Sequence, residues 1–492
     1  MTKRLTAGSA LPDGVMPPTY DPAAHGEGIV HIGLGAFHKA HQAVYTDDAL
    51  AAAGGDWRIV GVSLRSAAPA EELSPQDGRY TLIERSVEGS RARVVGSMSR
   101  ALCLKTDRAA VLKALCAPST RIVSITVTEK GYGLDRATGG IDPTHPAIAA
   151  DLARPKAPEG LAGLLVWALA ERRRKGVPPF TVLCCDNLPE NGHLVRSLLT
   201  DMARHCAPDL VEHLTQNVAF PCTMVDRITP ARSPDTLALA LAMIGFEDRA
   251  TVETEAFRQW VIEDHFPTGR PDWETGGALF VRDVRPFEEM KLRMLNGTHS
   301  MLAYTGFLAG YKYVRNVMGD PALSRLVTRH LGAAASTLDP LPGVDFGLYT
   351  KELTARFANP HLGHETYQIA MDGSEKMPQR IFAPALDALH NGQPLDAFAF
   401  ATAAWVRYTV GRTDGNEAYD LRDPLSAKLA PAIDAPETAA TLYDRIVNLP
   451  GLFPTELSAS ARWRSAVIER LGHMLSAGMQ AAIQSEVAKI GD

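Results

Sequence analysis

The chain has 492 residues, 46% of them apolar and 22% charged, with a formal net charge of −6. That length exceeds one ordinary hydrophobic core and makes two domains the default. The acidic balance leaves no basic footprint for nucleic acid, and no apolar run is long enough to span a bilayer, so a small molecule is the expected partner.

The start of the chain, Met1-Thr-Lys-Arg-Leu-Thr-Ala-Gly-Ser, lacks the apolar stretch of a signal peptide. The six cysteines, Cys103, Cys116, Cys184, Cys185, Cys206 and Cys222, form no C-x-x-C pair. They read as reduced thiols of a cytoplasmic protein, and their spacing suggests no structural zinc site.

Short β-branched runs alternate with helical patterns through the first half, the mark of a parallel sheet. Gly28-Ile-Val-His-Ile-Gly-Leu-Gly35 reads as a strand followed by a glycine turn, Trp57–Leu64 as a second strand, Arg121–Thr128 as a third and Phe180–Cys185 as a fourth. Val218–Val225 is a candidate fifth. The stretch from Gly160 to Lys175 reads as a helix whose Arg172-Arg-Arg-Lys175 end suits a solvated, dipole-compatible C-terminus. From Pro286, followed by Glu288 and Glu289, helical patterns run to the end of the chain. The expected architecture is therefore α/β: a Rossmann-type, doubly wound parallel-sheet domain over residues 1–285, then a mostly α-helical substrate and catalytic domain over 286–492.

Ile32-Gly33-Leu-Gly35-Ala-Phe-His38 follows a strand and should open a helix. Gly33 permits the tight turn, Gly35 lets backbone approach a pyrophosphate, and Phe37 and His38 complete the turn, His38 standing where the usual third glycine would be. The second strand ends Ser63-Leu64-Arg65-Ser66-Ala67-Ala68, with no carboxylate for an adenosine ribose. Arg65 can face a 2′-phosphate, stack on adenine or point to solvent, so NAD is expected with NADP possible. The fourth strand delivers Asp186-Asn187-Leu-Pro-Glu-Asn191 at the end where ligands sit in such sheets. Asn187 reads equally as a ligand to a reacting oxygen or as a turn residue. Glu129 and Asp226 carry the same two readings.

Lys291-Leu-Arg-Met-Leu-Asn296-Gly-Thr-His299 places an amine, a carboxamide and an imidazole within nine residues. On an α-helix Asn296 lies roughly 140° and His299 roughly 80° round from Lys291, so all three can face one cavity. A lysine whose pKa is pulled below its free value of about 10.4 by burial beside positive groups can take a proton from an alcohol.

Together these segments resemble the mannitol dehydrogenase family of polyol-specific long-chain dehydrogenases. The strings that carry the resemblance are Gly35-Ala-Phe-His-Lys-Ala-His-Gln42, Thr126-Val-Thr-Glu-Lys-Gly-Tyr132, Cys185-Asp-Asn-Leu-Pro-Glu-Asn-Gly192, Phe220-Pro-Cys-Thr-Met-Val-Asp-Arg-Ile-Thr-Pro230, Phe257-Arg-Gln-Trp-Val-Ile-Glu-Asp264, Gly269-Arg-Pro-Asp-Trp273 and Lys291–Ser300. The resemblance implies catalysis without a metal, in a cleft between a Rossmann-type and a helical domain. It implies Lys291 as general base, Asn187 and Asn296 as the pair polarising the reacting oxygen, and His299 as a substrate-orienting group. It also implies Glu129 on a proton exit and Asp226 near cofactor and substrate. A monomer or weak homo-oligomer is expected.

Mannitol enzymes of the family carry a sugar-contacting arginine and lysine in a later segment, here Thr366-Tyr-Gln368-Ile-Ala-Met-Asp-Gly-Ser-Glu-Lys376-Met-Pro-Gln-Arg380. Lys376 is kept, whereas Gln368 replaces the arginine and Arg293 replaces a small residue. These versions resemble the mannonate oxidoreductase (fructuronate reductase) branch, whose substrate is a carboxylate needing a cation. Arg380 and Lys376 are the stronger candidates for that cation, and Arg293 reads equally as a salt bridge across the domain interface. A hexitol or a pentitol is the alternative substrate. A sensor that has lost its chemistry is disfavoured by the intact Lys291, Asn296, His299 and Asn187, and a zinc alcohol dehydrogenase by the absent cysteine spacing.

Overall fold

The computed structural model describes residues 3–128, 131–135, 138–361, 363–429 and 438–490. The chain divides into two compact units, Met1–Arg285 and Pro286–Asp492.

The N-terminal unit is organised by a five-stranded sheet in the spatial order Met98–Cys103, Arg58–Ser63, Glu27–Ile32, Ile122–Ile125, Thr181–Cys184. Every neighbouring pair is parallel, with Ile32 opposite Val62 on one side and Ile125 on the other. The chain leaves Glu27–Ile32 toward one edge and later returns beside it toward the other, which makes the end of that strand the topological switch point where such sheets bind ligands. Alternation along each strand feeds two cores. Val30, Val60, Val123 and Val182 enter the core formed with the Leu161–Arg174 and Asn191–Cys206 helices. Ile29, Ile59, Ile122 and Leu183 enter the core formed with the Gln42–Ala53 helix. Helices thus cover both faces, the reason these strands read as continuous apolar runs.

Four expected strands are present at the expected places, and two features differ. Of the Val218–Val225 run only Thr223–Asp226 is a strand, and it pairs antiparallel with Gln259–Glu263 outside the main sheet. A single backbone bond, Val182 N to Ala219 O at 3.0 Å, continues the main sheet edge. Beyond it Pro221 offers no N–H, and the Asn191 side chain occupies the Thr223 backbone, accepting from its N and donating to its O. The second difference is Met98–Cys103, an edge strand not anticipated from its sequence. It follows the antiparallel hairpin Tyr80–Ser86/Gly89–Val95, which forms a separate sheet with Val15–Met16 and Val252–Glu255.

The Arg172-Arg-Arg-Lys175 end corrects another expectation. Arg173, Arg174 and Lys175 are exposed, but Arg172 is buried. Its guanidinium donates to the carbonyls of Pro178, Leu115, Ala117 and Thr120 at 2.8–2.9 Å. It thereby closes the C-terminal end of the Arg108–Cys116 helix, and burial pulls its pKa down to about 10.

The C-terminal unit is helical. Its central helix, Asp396–Thr409, is buried from Ala397 onward and packs against Gly297–Leu308 and Ala461–Ala477. None of the described helices is long and apolar enough to cross a membrane.

Removing the Arg172 guanidinium strands buried carbonyls, so Arg172→Ala should lower stability by about 3 kcal/mol, whereas Lys175→Ala should stay within about 0.5 kcal/mol. Urea unfolding of the two variants checks this, and equal midpoints would contradict the buried role of Arg172.

Candidate active site

At the switch point the chain turns sharply after Ile32. Gly33 has φ +101°, and a Cβ there would stand 1.9 Å from the Thr126 carbonyl oxygen. Only glycine satisfies both conditions. Gly35, by contrast, is exposed, and a Cβ on it would meet nothing nearer than the Gly33 oxygen at 3.7 Å. The fold itself therefore sets no steric demand for glycine at 35.

Below the turn lies a buried histidine pair. His31 Nδ1 is 2.8 Å from Ser124 Oγ, and Nε2 is 2.9 Å from Thr126 Oγ1 and 3.2 Å from the Gly33 oxygen. His38 is fully buried and stacks on His31 with centroids 3.4 Å apart. The ring of His38 thus packs inward beneath the turn. Phe37 stacks on His41 at 4.9 Å, and His41 Nε2 lies 2.9 Å from the Gln259 oxygen. Burial pulls the pKa values of His31 and His41 down to about 3, so both rings are neutral at physiological pH.

Arg65 is exposed and lines a cavity of about 480 Å³ with Leu64, Leu104, Lys105, Arg108 and Glu159. It stands at the ends of the Arg58–Ser63 and Met98–Cys103 strands, with two further cations, Lys105 and Arg108, and one acid around it. Asp226 is buried at the end of its strand, opposite Gln259. Asn187 is exposed between two anchors that sequence reading did not single out. Before it, Asp186 Oδ2 accepts from Val127 N at 2.9 Å and from the Tyr132 hydroxyl at 2.5 Å. After it, the Asn191 amide donates to the Asp186 and Thr223 carbonyls at 3.0 and 2.8 Å. Glu129 lies outside the described residues.

In the C-terminal unit the expected helix over Lys291–His299 is present, but Lys291–Asn296 is a π-helical segment between Arg285–Met290 and Gly297–Leu308. The Gly297 N–H reaches back to the Leu292 oxygen, five residues earlier. In this wider turn a residue five positions on lies close to one full turn later, so Asn296 sits nearer the Lys291 face than α-helical spacing gives. Such segments recur at functional sites. Lys291 and Asn296 are both buried, at 7% and 8% exposure.

A second π-helical segment, Pro378–Phe382, carries Arg380. The two segments touch: Arg380 Nη1 is 3.4 Å from the Asn296 oxygen and 3.3 Å from Ser300 Oγ. A Cβ on Gly297 would lie 2.8 Å from the Arg380 carbonyl oxygen. Arg380 makes no salt bridge among the described residues, and burial pulls its pKa down to about 10. His299 packs against Phe357 at 4.7 Å and His364 at 5.7 Å. Burial, then the charges of His364, Arg356 and Arg380, hold its imidazole neutral. Asn296 Nδ2 and His299 Nε2 are buried with no hydrogen-bond partner among the described residues. Two neutral polar atoms thus stand without a protein partner among the described residues, in the same unit as the half-buried Arg380 cation.

The remaining candidates are placed differently. Lys376 donates to the Met371 oxygen at 2.5 Å and the Ile369 oxygen at 3.3 Å, and burial followed by Arg380 lowers its pKa. Arg293 bridges Asp387 at 2.8 Å and donates to the Thr337 carbonyl at 2.8 Å, a salt bridge made within the C-terminal unit. Gln368 is exposed on the short Thr366–Ile369 helix.

Residues 27–275 match the family model described as the mannitol dehydrogenase Rossmann domain, and residues 283–474 the mannitol dehydrogenase C-terminal domain. D-mannonate oxidoreductase of Escherichia coli (strain K12) is 42% identical over 455 residues, covering 92% of this chain and 93% of its own length. Mannitol 2-dehydrogenase of Aspergillus terreus is 40% identical over 461 residues, covering 92% and 91%. The Pseudomonas fluorescens mannitol 2-dehydrogenase, solved as a ternary complex with NAD and D-mannitol, superposes with a TM-score of 0.84 at 34% identity, covering 99% of this chain and 100% of that one.

Two outcomes follow for the N-terminal unit. Gly33→Ala should destabilise it by several kcal/mol, whereas Gly35→Ala should leave its melting temperature nearly unchanged yet weaken NADH binding by at least about tenfold, as fluorescence titration reads. Unchanged NADH affinity in Gly35→Ala would remove the turn from ligand binding. Because His31 and His41 bind a proton more readily unfolded than folded, their contribution to stability is complete above pH ~6.5 and is lost as pH falls toward ~3, at up to about 1.4 kcal/mol per histidine per pH unit. Urea midpoints measured from pH 7.5 to 4 should fall accordingly, less steeply in His31→Asn; parallel declines would contradict a neutral His31.

Proposed function

Because the chain belongs to the mannitol dehydrogenase family, we propose that it is an NAD-dependent oxidoreductase interconverting the secondary alcohol and ketone of a sugar acid, D-mannonate and D-fructuronate. The observation that carries the sugar-acid reading is Arg380, a half-buried guanidinium beside Asn296 and Ser300 with no acidic partner among the described residues. A desolvated arginine without a carboxylate is costly unless a ligand supplies one, and its planar fork suits a sugar carboxylate. The resemblance to D-mannonate oxidoreductase supports the same reading.

NAD, when bound against the Gly33–Gly35 turn, supplies the hydride acceptor. In this reading Lys291 takes the proton of the substrate hydroxyl, and in reverse its ammonium returns a proton to the ketone oxygen. Asn296 and Asn187 donate hydrogen bonds to the oxygen as charge develops on it, without competing for the proton. Neutral His299 orients the substrate through Nε2. Asp226 and Glu129 keep the roles that the family resemblance gives them, near the cofactor and on the proton exit. Lys376 and Gln368 serve in this reading as supports of the substrate wall, and Arg293 as a helix tie. Arg65, with Lys105 and Arg108, accommodates the adenosine end and tolerates NADP. The second reading, mannitol 2-dehydrogenase, is favoured by the 40% identity to the Aspergillus terreus enzyme.

Oxidation of NADH and NADPH with D-fructuronate and D-fructose offered in parallel tests the proposal. The expected outcome is a strong preference for fructuronate. In Arg380→Met, loss of a charge-assisted pair worth about 3 kcal/mol should lower kcat/KM for fructuronate roughly 100-fold while that for fructose changes only a few-fold. Lys291→Ala should bind NADH yet lose about 10³-fold in turnover. A preference for fructose in the parent enzyme would establish the second reading instead.

A further inference from the structure

His193, Cys222 and Glu263 come together in the N-terminal unit from three separate parts of the chain. His193 lies in the first turn of the Asn191–Cys206 helix, Cys222 immediately precedes the Thr223–Asp226 strand, and Glu263 ends the Gln259–Glu263 strand. One ligand atom from each lies within 4.8 Å of the other two. We propose that these three side chains form a zinc-binding site, distinct from the residues assigned to alcohol oxidation, that clips the helix following Asn187 to the neighbouring strands.

The site is held together before any ion arrives. Cys222 N donates to Glu263 Oε2 at 2.9 Å, and Glu263 N donates to the Cys222 oxygen at 3.0 Å, so these two residues are locked as antiparallel neighbours. Asn191 fixes the start of the helix to the Thr223 backbone. The next residue, Gly192, lies so close to the incoming chain that a Cβ on it would stand 2.4 Å from the Phe220 oxygen and 2.8 Å from Pro221. His193 and Cys222 each follow directly on this contact. Bond lengths of about 2.0–2.3 Å set tetrahedral ligand atoms about 3.3–3.8 Å apart, so closure requires a shift of about 1 Å. The His193 side chain, 61% exposed, is free to make it by rotation.

The donor set selects the ion. One sulfur, one imidazole nitrogen and one carboxylate oxygen suit zinc, with water as the fourth ligand, and disfavour magnesium and calcium, which prefer oxygen alone. The surrounding charge favours a cation. Glu190 Oε1 is 3.5 Å from His193 Nδ1. The nearby cation Arg285 is already chelated by Asp283 at 2.7–3.1 Å. On zinc uptake a sulfur–zinc bond forms and the Cys222 thiol proton passes to solvent, so affinity should rise with pH.

Tag-free, reduced, metal-stripped full-length protein is titrated with zinc chloride by calorimetry, and with cobalt chloride by absorption spectroscopy. The expected result is one equivalent of zinc bound with a Kd of about 1 μM or tighter, and a cobalt complex with a thiolate-to-metal charge-transfer band. Residues 186–193 should become more protected from hydrogen exchange when zinc is bound. Cys222→Ser should abolish the band. Since Cys222 is buried, His193→Ala on the exposed side provides the variant that keeps the fold, and it should weaken zinc at least tenfold with NADH binding unchanged. Zinc affinity unaffected by His193→Ala, binding lost on His299→Gln instead, or a cobalt spectrum without the thiolate band would each overturn the site.

Discussion

The contact between the Gly297 backbone and the Arg380 carbonyl organises the helical unit's chemistry. It sets one π-helical turn against another, and Lys291, Asn296, His299 and Arg380 hang from these two turns or from the helix that continues the first. A π-helical turn contributes less to stability than an α-helical one, so it persists only where surrounding packing over-determines it. Here that packing comes from Met290, Met294, Leu295, Ile381 and Phe382, all buried. The apolar core thus holds the carboxamide of Asn296 and the amine of Lys291 away from water.

In the N-terminal unit the equivalent constraint is steric and polar at once. Gly33 closes the turn against Thr126, and a neutral imidazole, His31, spans Ser124, Thr126 and the Gly33 carbonyl beneath it. A charged ring there would oppose its own burial. Neutrality is therefore a condition of the turn's geometry.

Much of this was legible in the chain. The four main strands stood out because their residues are buried on both faces and so form short apolar runs, and the Lys291–His299 segment because its chemistry is concentrated within three turns. What escaped reading has common causes. Met98–Cys103 contains Ser99 and Arg100 and few β-branched residues, so only its place at a sheet edge makes it a strand. Arg172 looked like its exposed neighbours because the four carbonyls that bury it come from segments up to 57 positions away. The π-helical register depends on packing by another segment 84 positions along. Asp186 and Asn191, the anchors on either side of Asn187, sat inside a quoted string without a visible task, since their partners Val127, Tyr132 and Thr223 lie elsewhere in the chain.

The two glycines of the nucleotide turn answer to different demands. Gly33 is required by the fold alone, because its φ and its distance from Thr126 exclude any side chain. Gly35 is required by nothing in the protein itself. A descendant of this chain that had abandoned its chemistry would therefore keep the first glycine and be free to drift at the second. On the reading proposed for this turn, the pair separates inherited architecture from retained use, and in any descendant the residue at position 35 would record whether the turn still takes a cofactor.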